Sequence, residues 1–587
     1  MKQTVFSLLF GIICTFSVIP EQLTAQSNAE NMFGNSLPKT EVRFKTTNAI
    51  LQKIYDSAEQ KAKLNIVNHF GKYQVLVEGG GYNNVWLETQ PMGGYMYAKR
   101  NMEAAKNNIQ IFIDYQREDG RYPGMLHFTN GKTSAYYDHL PGTRLYEKDQ
   151  ITAHYGWFQG YCFPMPAFEM YFWLGKDRKY LEQLYTSLEK FDEYLWKTRD
   201  SDHNGCLETW CICDTGEDGG SRFNGAPWSW PYDYAPSSEA IRKLPEDEQK
   251  QIGITKDNLN EIDNFPIPME SMDIMSYSYT GRDVLAKISK ELGNGEEKYW
   301  REKANEVRAK LKSYLWDENR HACYDRDKNN KVMDILTHNN LRCMYFGSFD
   351  QQMADDFIKY HLMNSKEFWT PMPLPSIAVN DAAFRNIPEN NWSGQSEGLT
   401  FQRSIRAMEN YGHYAELTLI GQKFLKVVGD SLKFTQQFEP FKATIVTATQ
   451  NDGYGPSILA SLEFISRMYG IHLTQDLVYW SCLDDKEQYE YIQQWGNKIF
   501  MMTTRENQVF CSIDGQEVFS FTKGIRVVSD LSGKIIEVAG IDTEAKKAEI
   551  SCNGKTKSVE IAPNIVYGYN KGLKVISRTD FYNPLEK

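Results

Sequence analysis

From about residue 50 to about residue 470, apolar residues recur at steps of three and four, the spacing that gathers them on one face of a helix. The clearest run is Trp300, Ala304, Val307, Leu311 and Tyr314 within 296–316, close to ideal amphipathic spacing. Ile50, Ile54, Ala58, Ala62 and Ile66 predict an opening helix within 40–70. Further helices are predicted over 101–115, 155–174, 179–196, 269–292, 399–411, 414–428 and 453–469, with one or two more inside 339–363. Short turns such as GKDR alternate with long loops rich in Gly, Pro and aromatic residues. Helices in that number, each with one apolar stripe, bury their faces best as two concentric rings. The expected fold is therefore mainly α, an α/α barrel.

The period changes around Gln475. VYWSC, KIFMMTT, QVFCSI, GIRVVSD, KIIEVAGI and KAEISC are short, rich in β-branched and aromatic residues, and separated by turn signals such as DG, SG and NG. They predict a C-terminal antiparallel β-sandwich over 475–587 after a helical domain over 26–474. Its expected role is structural, with accessory sugar binding as the alternative.

The first residues, MKQTVFSLLFGIICTFSVIPEQLTAQ, set one Lys before an apolar run that ends in small and polar residues. This is the pattern of a cleavable signal peptide over 1–25, so a secreted or periplasmic protein is expected. No later segment offers the apolar length of a membrane span. The net charge of −11 and the lack of a basic run argue against nucleic acid as a partner. Aromatic residues make up 13% of the chain, which suits sugar handling and a large helical core equally. Cys206, Cys211 and Cys213 are close in sequence but form no CxxC pair and lack a nearby His at ligand spacing. They read as buried thiols. No metal or organic cofactor is expected, and no pattern sets the oligomeric state.

Candidate chemistry concentrates in Glu208–Phe223, ETWCICDTGEDGGSRF, and the aromatic loop behind it. Glu208, Asp214, Glu217 and Asp218 are carboxyls that could protonate a leaving group or activate water. Trp228, Trp230, Tyr232 and Tyr234 offer flat faces for sugar rings. The plain alternative is a surface loop with solvated acids.

Three stretches resemble the six-hairpin α/α-barrel glycosidases, specifically the mannosylglycerate hydrolase branch of glycoside hydrolase family sixty-three, with trehalases as distant relatives. TGEDGGSRF keeps Gly216, Asp218 and Arg222 of a Gly-x-Asp-Asn-Ser-Pro-Arg motif, with Gly219, Gly220 and Ser221 replacing its centre. NNWSGQSEG resembles Tyr-Trp-Arg-Gly-Pro-x-Trp through Trp392 and Gly394, with Glu397 in place of the last Trp. FEPFKATIVTATQNDGYGPSILASLEF resembles a Glu-Tyr-x-x-Pro segment and the barrel's final helix, with Glu439 read onto the acid. The resemblance covers roughly 50–472. It implies an (α/α)6 six-hairpin barrel and an inverting glycosidase acting on an oligosaccharide or small glycoside, with Asp218 as general acid and Glu439 as general base. Glu397 is the rival base. Trp86, Glu88, Trp157, Trp228, Trp230, Trp369 and Trp392 are expected around the substrate, with core packing as the alternative for each. Arg222 is expected to bind substrate or Glu217.

Two other classes compete. A polysaccharide lyase on a similar toroid would draw on His154, Tyr155 and Arg144. A non-catalytic glycan-binding protein would explain the altered motifs.

Overall fold

The computed structural model describes residues 33–34, 36–69, 71–128, 142–146, 150–389, 391–447, 452–570 and 572–581. The expected signal peptide lies outside them.

Six helices form the centre of the helical body: Gln90–Tyr97, Pro164–Trp173, Met272–Leu292, Asn339–Phe346, Gly398–Glu409 and Gly455–Tyr469. Each packs against the next in that order, and the last packs against the first. Every residue of Gln90–Tyr97 and of Asn339–Phe346 is buried. Helices buried on all sides need no polar face, which is why their periodicity is weaker in sequence. Five of them pack against an amphipathic partner: Met102–Asp114, Arg178–Thr198, Glu297–Tyr314, Tyr414–Ser431 and, for Gly455–Tyr469, Ala49–Leu64. Those partners carry the stripes seen in sequence. In Glu297–Tyr314 the buried residues are Trp300, Ala304, Val307 and Leu311. Side-chain caps fix several helix starts: Asn101, Asp177 and Ser271 each accept from a backbone N–H of the first turn.

Two predicted helices differ from the structure. The opening segment is a strand, Thr40–Thr46, followed by the helix Ala49–Leu64. Its buried face is Leu51, Ile54, Tyr55, Ala58 and Ala62, whereas Ile50 is 62% exposed. The segment 155–174 becomes helical only at Pro164, whose fixed φ suits a first turn and whose missing N–H bars an earlier one. Tyr155–Phe163 runs as buried irregular chain, with positive φ at Gln159 and Tyr161.

The C-terminal region is two antiparallel sheets. One has six strands in the order Ile471–Thr474, Leu477–Cys482, Ile525–Asp530, Ile535–Gly540, Ile565–Tyr569 and Val575–Asp580. The other has seven: Thr40–Thr46, Tyr489–Trp495, Lys498–Arg505, Gln508–Ile513, Gln516–Thr522, Lys546–Cys552 and Lys555–Ile561. Trp480 of the first sheet meets Phe500 and Phe519 of the second, at ring separations of 6.2 and 5.6 Å. The expected division at 474/475 is therefore displaced in two ways. The first strand starts at Ile471, and Thr40–Thr46 pairs with Tyr489–Trp495 across most of the chain. One continuous core runs through helices and sheets.

Candidate active site

The N-terminal ends of the central helices gather the chemistry. Glu88 precedes Gln90–Tyr97, His338 precedes Asn339–Phe346, Glu397 caps Gly398–Glu409, and Tyr454 caps Gly455–Tyr469. Helix N-termini favour negative charge, so acids are at home there.

Asp214 fixes the acidic loop to the chain around it. Its carboxylate accepts from the backbone N–H of Phe158 (3.1 Å) and Trp210 (2.9 Å) and from Arg199 Nη1 (2.5 Å). Asp214 is fully buried and serves as a staple. Gly216 follows at φ +70°, and a Cβ there would stand 2.6 Å from both Glu88 oxygens. Only glycine allows that approach.

The turn sends Glu217 inward. It accepts from Thr215 Oγ1 (2.9 Å), His338 Nε2 (3.2 Å) and Asn339 Nδ2 (3.2 Å), and pairs with Arg222. Burial alone would raise its pKa, but Arg222, then Arg342 and His338, hold it well below the carboxylate range. Arg222 also binds Asp325 and, at 3.1 Å, Asp273. It is 3% exposed. Of the two partners expected for Arg222, substrate or Glu217, the structure shows Glu217, together with two further carboxylates in the interior.

Asp218 is the half-buried acid of the turn. Its backbone oxygen accepts from Trp392 N–H (3.0 Å), and Cys213 Sγ lies 3.6 Å from its Oδ1. Its charge acts on three buried carboxyls, Glu397, Glu88 and Glu78. Glu397 is raised well above the carboxylate range, by burial first and then by the charges of Asp218 and Glu88. Its Oε1 accepts from Gln437 (3.1 Å), while Oε2 is buried without a hydrogen bond. Glu88 is raised by burial, against the pull of Arg403, whose Nη2 lies 2.6 Å from its Oε1. Glu78 is raised by burial and by Glu88.

Glu439 stands apart. It is half-buried, and its carboxylate accepts from Asn386 Nδ2 (2.6 Å) and the Lys442 backbone N–H. Counted back from Pro440, the acid of Glu-Tyr-x-x-Pro falls on Gln436, so the register that sets Glu439 there is three residues out. Gln436 is buried, and its Oε1 accepts from Tyr82 OH (3.1 Å). Gln437 next to it is the cross-strand partner of Glu397.

The tryptophans divide. Trp392 lies near the site, 5.6 Å from the His338 ring and 5.4 Å from the Arg342 guanidinium. Trp86 and Trp228 are half-buried and pack against the core of the acidic loop, whereas Trp157 is 1% exposed, 5.4 Å from Trp228, and belongs to that core. Trp230 is fully buried, with Nε1 donating to Tyr234 O, and Trp369 packs beneath Lys423. Glu78, His338, Arg342, Arg403, Gln437 and Tyr454 complete the surround. Tyr454 lies within the third stretch read from sequence, and Glu78, His338, Arg342 and Arg403 lie outside all three. Of these, only His338 and Tyr454 stand at the start of a central helix.

A family model, the mannosylglycerate hydrolase MGH1-like glycoside hydrolase domain, matches residues 94–454, more than half of the chain. Among solved structures, the family 63 mannosylglycerate hydrolase from Thermus thermophilus in complex with glucose is similar at a TM-score of 0.53 and 15% identity, covering 70% of this chain and 99% of that one. A structure described as a sialidase is similar at a TM-score of 0.58 and 12% identity, covering 83% of this chain and 41% of that one. No curated protein sequence matches the chain.

Proposed function

We propose, since the chain belongs to the MGH1-like glycoside hydrolase family, that this glycosidase is exported and cleaves an α-linked sugar with inversion, Asp218 protonating the leaving oxygen and Glu397 activating water. The closed order of six central helices supports reading the helical body as an (α/α)6 barrel with the site at the helix N-termini. One observation carries the choice of residues: the half-buried Asp218 is electrostatically joined to the buried Glu397, whereas Glu439 is held by Asn386 and the following turn. Gln436 is an amide and cannot take a proton from water.

A charge on Asp218 disfavours a charge on the buried Glu397. The proposed roles require the proton on Asp218 and the charge on Glu397; a neutral Asp218 would remove one of the smaller causes that raise Glu397, after burial. Arg342 opposes the burial that raises it, and substrate or water entering the site would have to offset the rest. Inversion needs the two carboxyls about 6.5–9.5 Å apart, with room for water between them.

A small α-glycoside of the class named by the T. thermophilus neighbour, together with a panel of α-linked di- and oligosaccharides, provides the test. Proton NMR of the first product should show the β anomer. A retained anomer contradicts inversion, an unsaturated product marks a lyase, and binding without turnover marks a glycan-binding protein.

A further inference from the structure

Glu397 and Gln437 face each other across the strand pair Ser396–Glu397 and Gln437–Glu439. Both side chains are buried, and Gln437 Nε2 donates to Glu397 Oε1 at 3.1 Å. That bond sets the amide, because the reverse orientation would turn its carbonyl oxygen towards the carboxylate. The backbone beneath is held as well. Gln437 O accepts from Thr435 Oγ1 (3.1 Å) and the Val446 N–H (3.0 Å), and the Gly398 N–H donates to Gln436 O (2.7 Å).

Two oxygens of this bonded pair are left over. Glu397 Oε2 and Gln437 Oε1 are both buried without a hydrogen bond. A buried acceptor left in that condition is destabilising. An amide oxygen only accepts, as does an ionised carboxylate, so neither can serve the other. Two neighbouring acceptors are served together by one molecule with two O–H bonds, which is water.

We propose that Gln437 is a catalytic residue that holds the attacking water jointly with Glu397. The inference rests on the reading of Glu397 as the base. One hydrogen of the water points to Glu397 Oε2 and the other to Gln437 Oε1, which leaves an oxygen lone pair for the anomeric carbon. As the new C–O bond forms, the glycosidic C–O bond breaks. The first water proton passes to Glu397 Oε2, and the Asp218 proton passes to the leaving oxygen. The second water proton stays on the new β hydroxyl, still bonded to Gln437. A hydrogen bond to the charged form of a carboxyl favours that form, so the same water offsets part of the burial that raises Glu397. Held by both hydrogens the water is aimed, and a misplacement of about 1 Å costs about 10²-fold in rate.

The test follows kcat and KM over pH on the α-glycoside turned over fastest in the panel above, with Tm as the check on folding. Gln437→Met keeps the length of the side chain and removes both donor and acceptor. Its plateau kcat should fall about 10²-fold at near-parent KM. Its acid limb should also move to higher pH, because Glu397 loses a donor that lowers it. A shifted limb with the plateau at the parent value would make Gln437 a mere support of Glu397 and overturn the proposal. Gln437→Asn keeps the amide but withdraws it by one methylene. It should lose kcat likewise and decides the matter if Gln437→Met misfolds, and parent kcat in it would then refute the water contact. Glu397→Gln separates this proposal from the reading beneath it. Parent kcat there refutes the base itself, whereas a large loss there beside a parent plateau in Gln437→Met refutes the water contact alone.

Discussion

The same three central helices carry buried charge at both ends, and the two ends are built differently. At the C-terminal ends of Gln90–Tyr97, Gly398–Glu409 and Gly455–Tyr469, the charges are matched. Lys99 pairs with Glu463 at 2.8 Å, Arg467 bridges Glu463 and Glu409, and Arg526 of the sheet reaches Glu409 at 3.2 Å. Although burial opposes it, Lys99 and Arg467 hold Glu463 ionised, down at about 2. At the N-terminal ends, Glu78, Glu88 and Glu397 crowd together, and burial raises all three. Matched buried charges hold helices to a sheet. Buried acids left short of partners store a proton and a charge that a reaction can use. The contrast separates structural acids from candidate catalytic ones without reference to any motif.

Substitutions at the two ends should therefore fail in different ways. Asp218→Asn should cut kcat by about 10²–10⁴-fold, the usual worth of a general acid, and least for substrates with good leaving groups. Its Tm should stay at the parent value, and a large fall would move Asp218 into the structural class. Glu463→Gln should show the reverse, losing about 3–5 kcal/mol of stability by breaking a buried pair while the folded fraction keeps its kcat. Denaturant melts read beside active-site titration separate the two.

A smaller effect sharpens the structural side. His413, between Asp355 and Glu416, is raised to about 9, burial being outweighed by its two carboxylate partners. A raised histidine stabilises fully below its unfolded value near 6.5, and that stability is lost as pH rises through about 9. Roughly 3 kcal/mol is at stake, and His413→Gln should flatten the alkaline fall in Tm. On the catalytic side, the acid limb of the rate profile, set by ionisation of the base, should shift towards lower pH in Glu88→Gln, which removes one of the charges raising Glu397. An unmoved limb would break the link between these acids.

Much of the fold is legible in sequence because helices are local. Trp300, Ala304, Val307 and Leu311 declare their helix through spacing alone. The strand Thr40–Thr46 does not, because its partner, Tyr489–Trp495, lies at the far end of the chain and a short segment before a helix carries no sign of distant pairing. The site is half legible. Asp218 is marked by its turn, whose Gly216 must admit Glu88. The three acids holding Arg222 come from a loop, a helix start and the chain near Asp325, and only the folded chain shows that they meet. Glu439 shows the opposite hazard, since an acid near a motif draws the reading away from Gln436, where the count actually falls.

The central claim is that the catalytic base is the buried carboxyl joined to Asp218 and not the acid nearest the motif. It is tested most directly by kcat for Glu397→Gln and Glu439→Gln on one α-glycoside, with folding checked by Tm. The account expects Glu397→Gln to lose about 10²-fold or more at unchanged Tm, and Glu439→Gln to stay within a few-fold of the parent. The reverse ordering would contradict it.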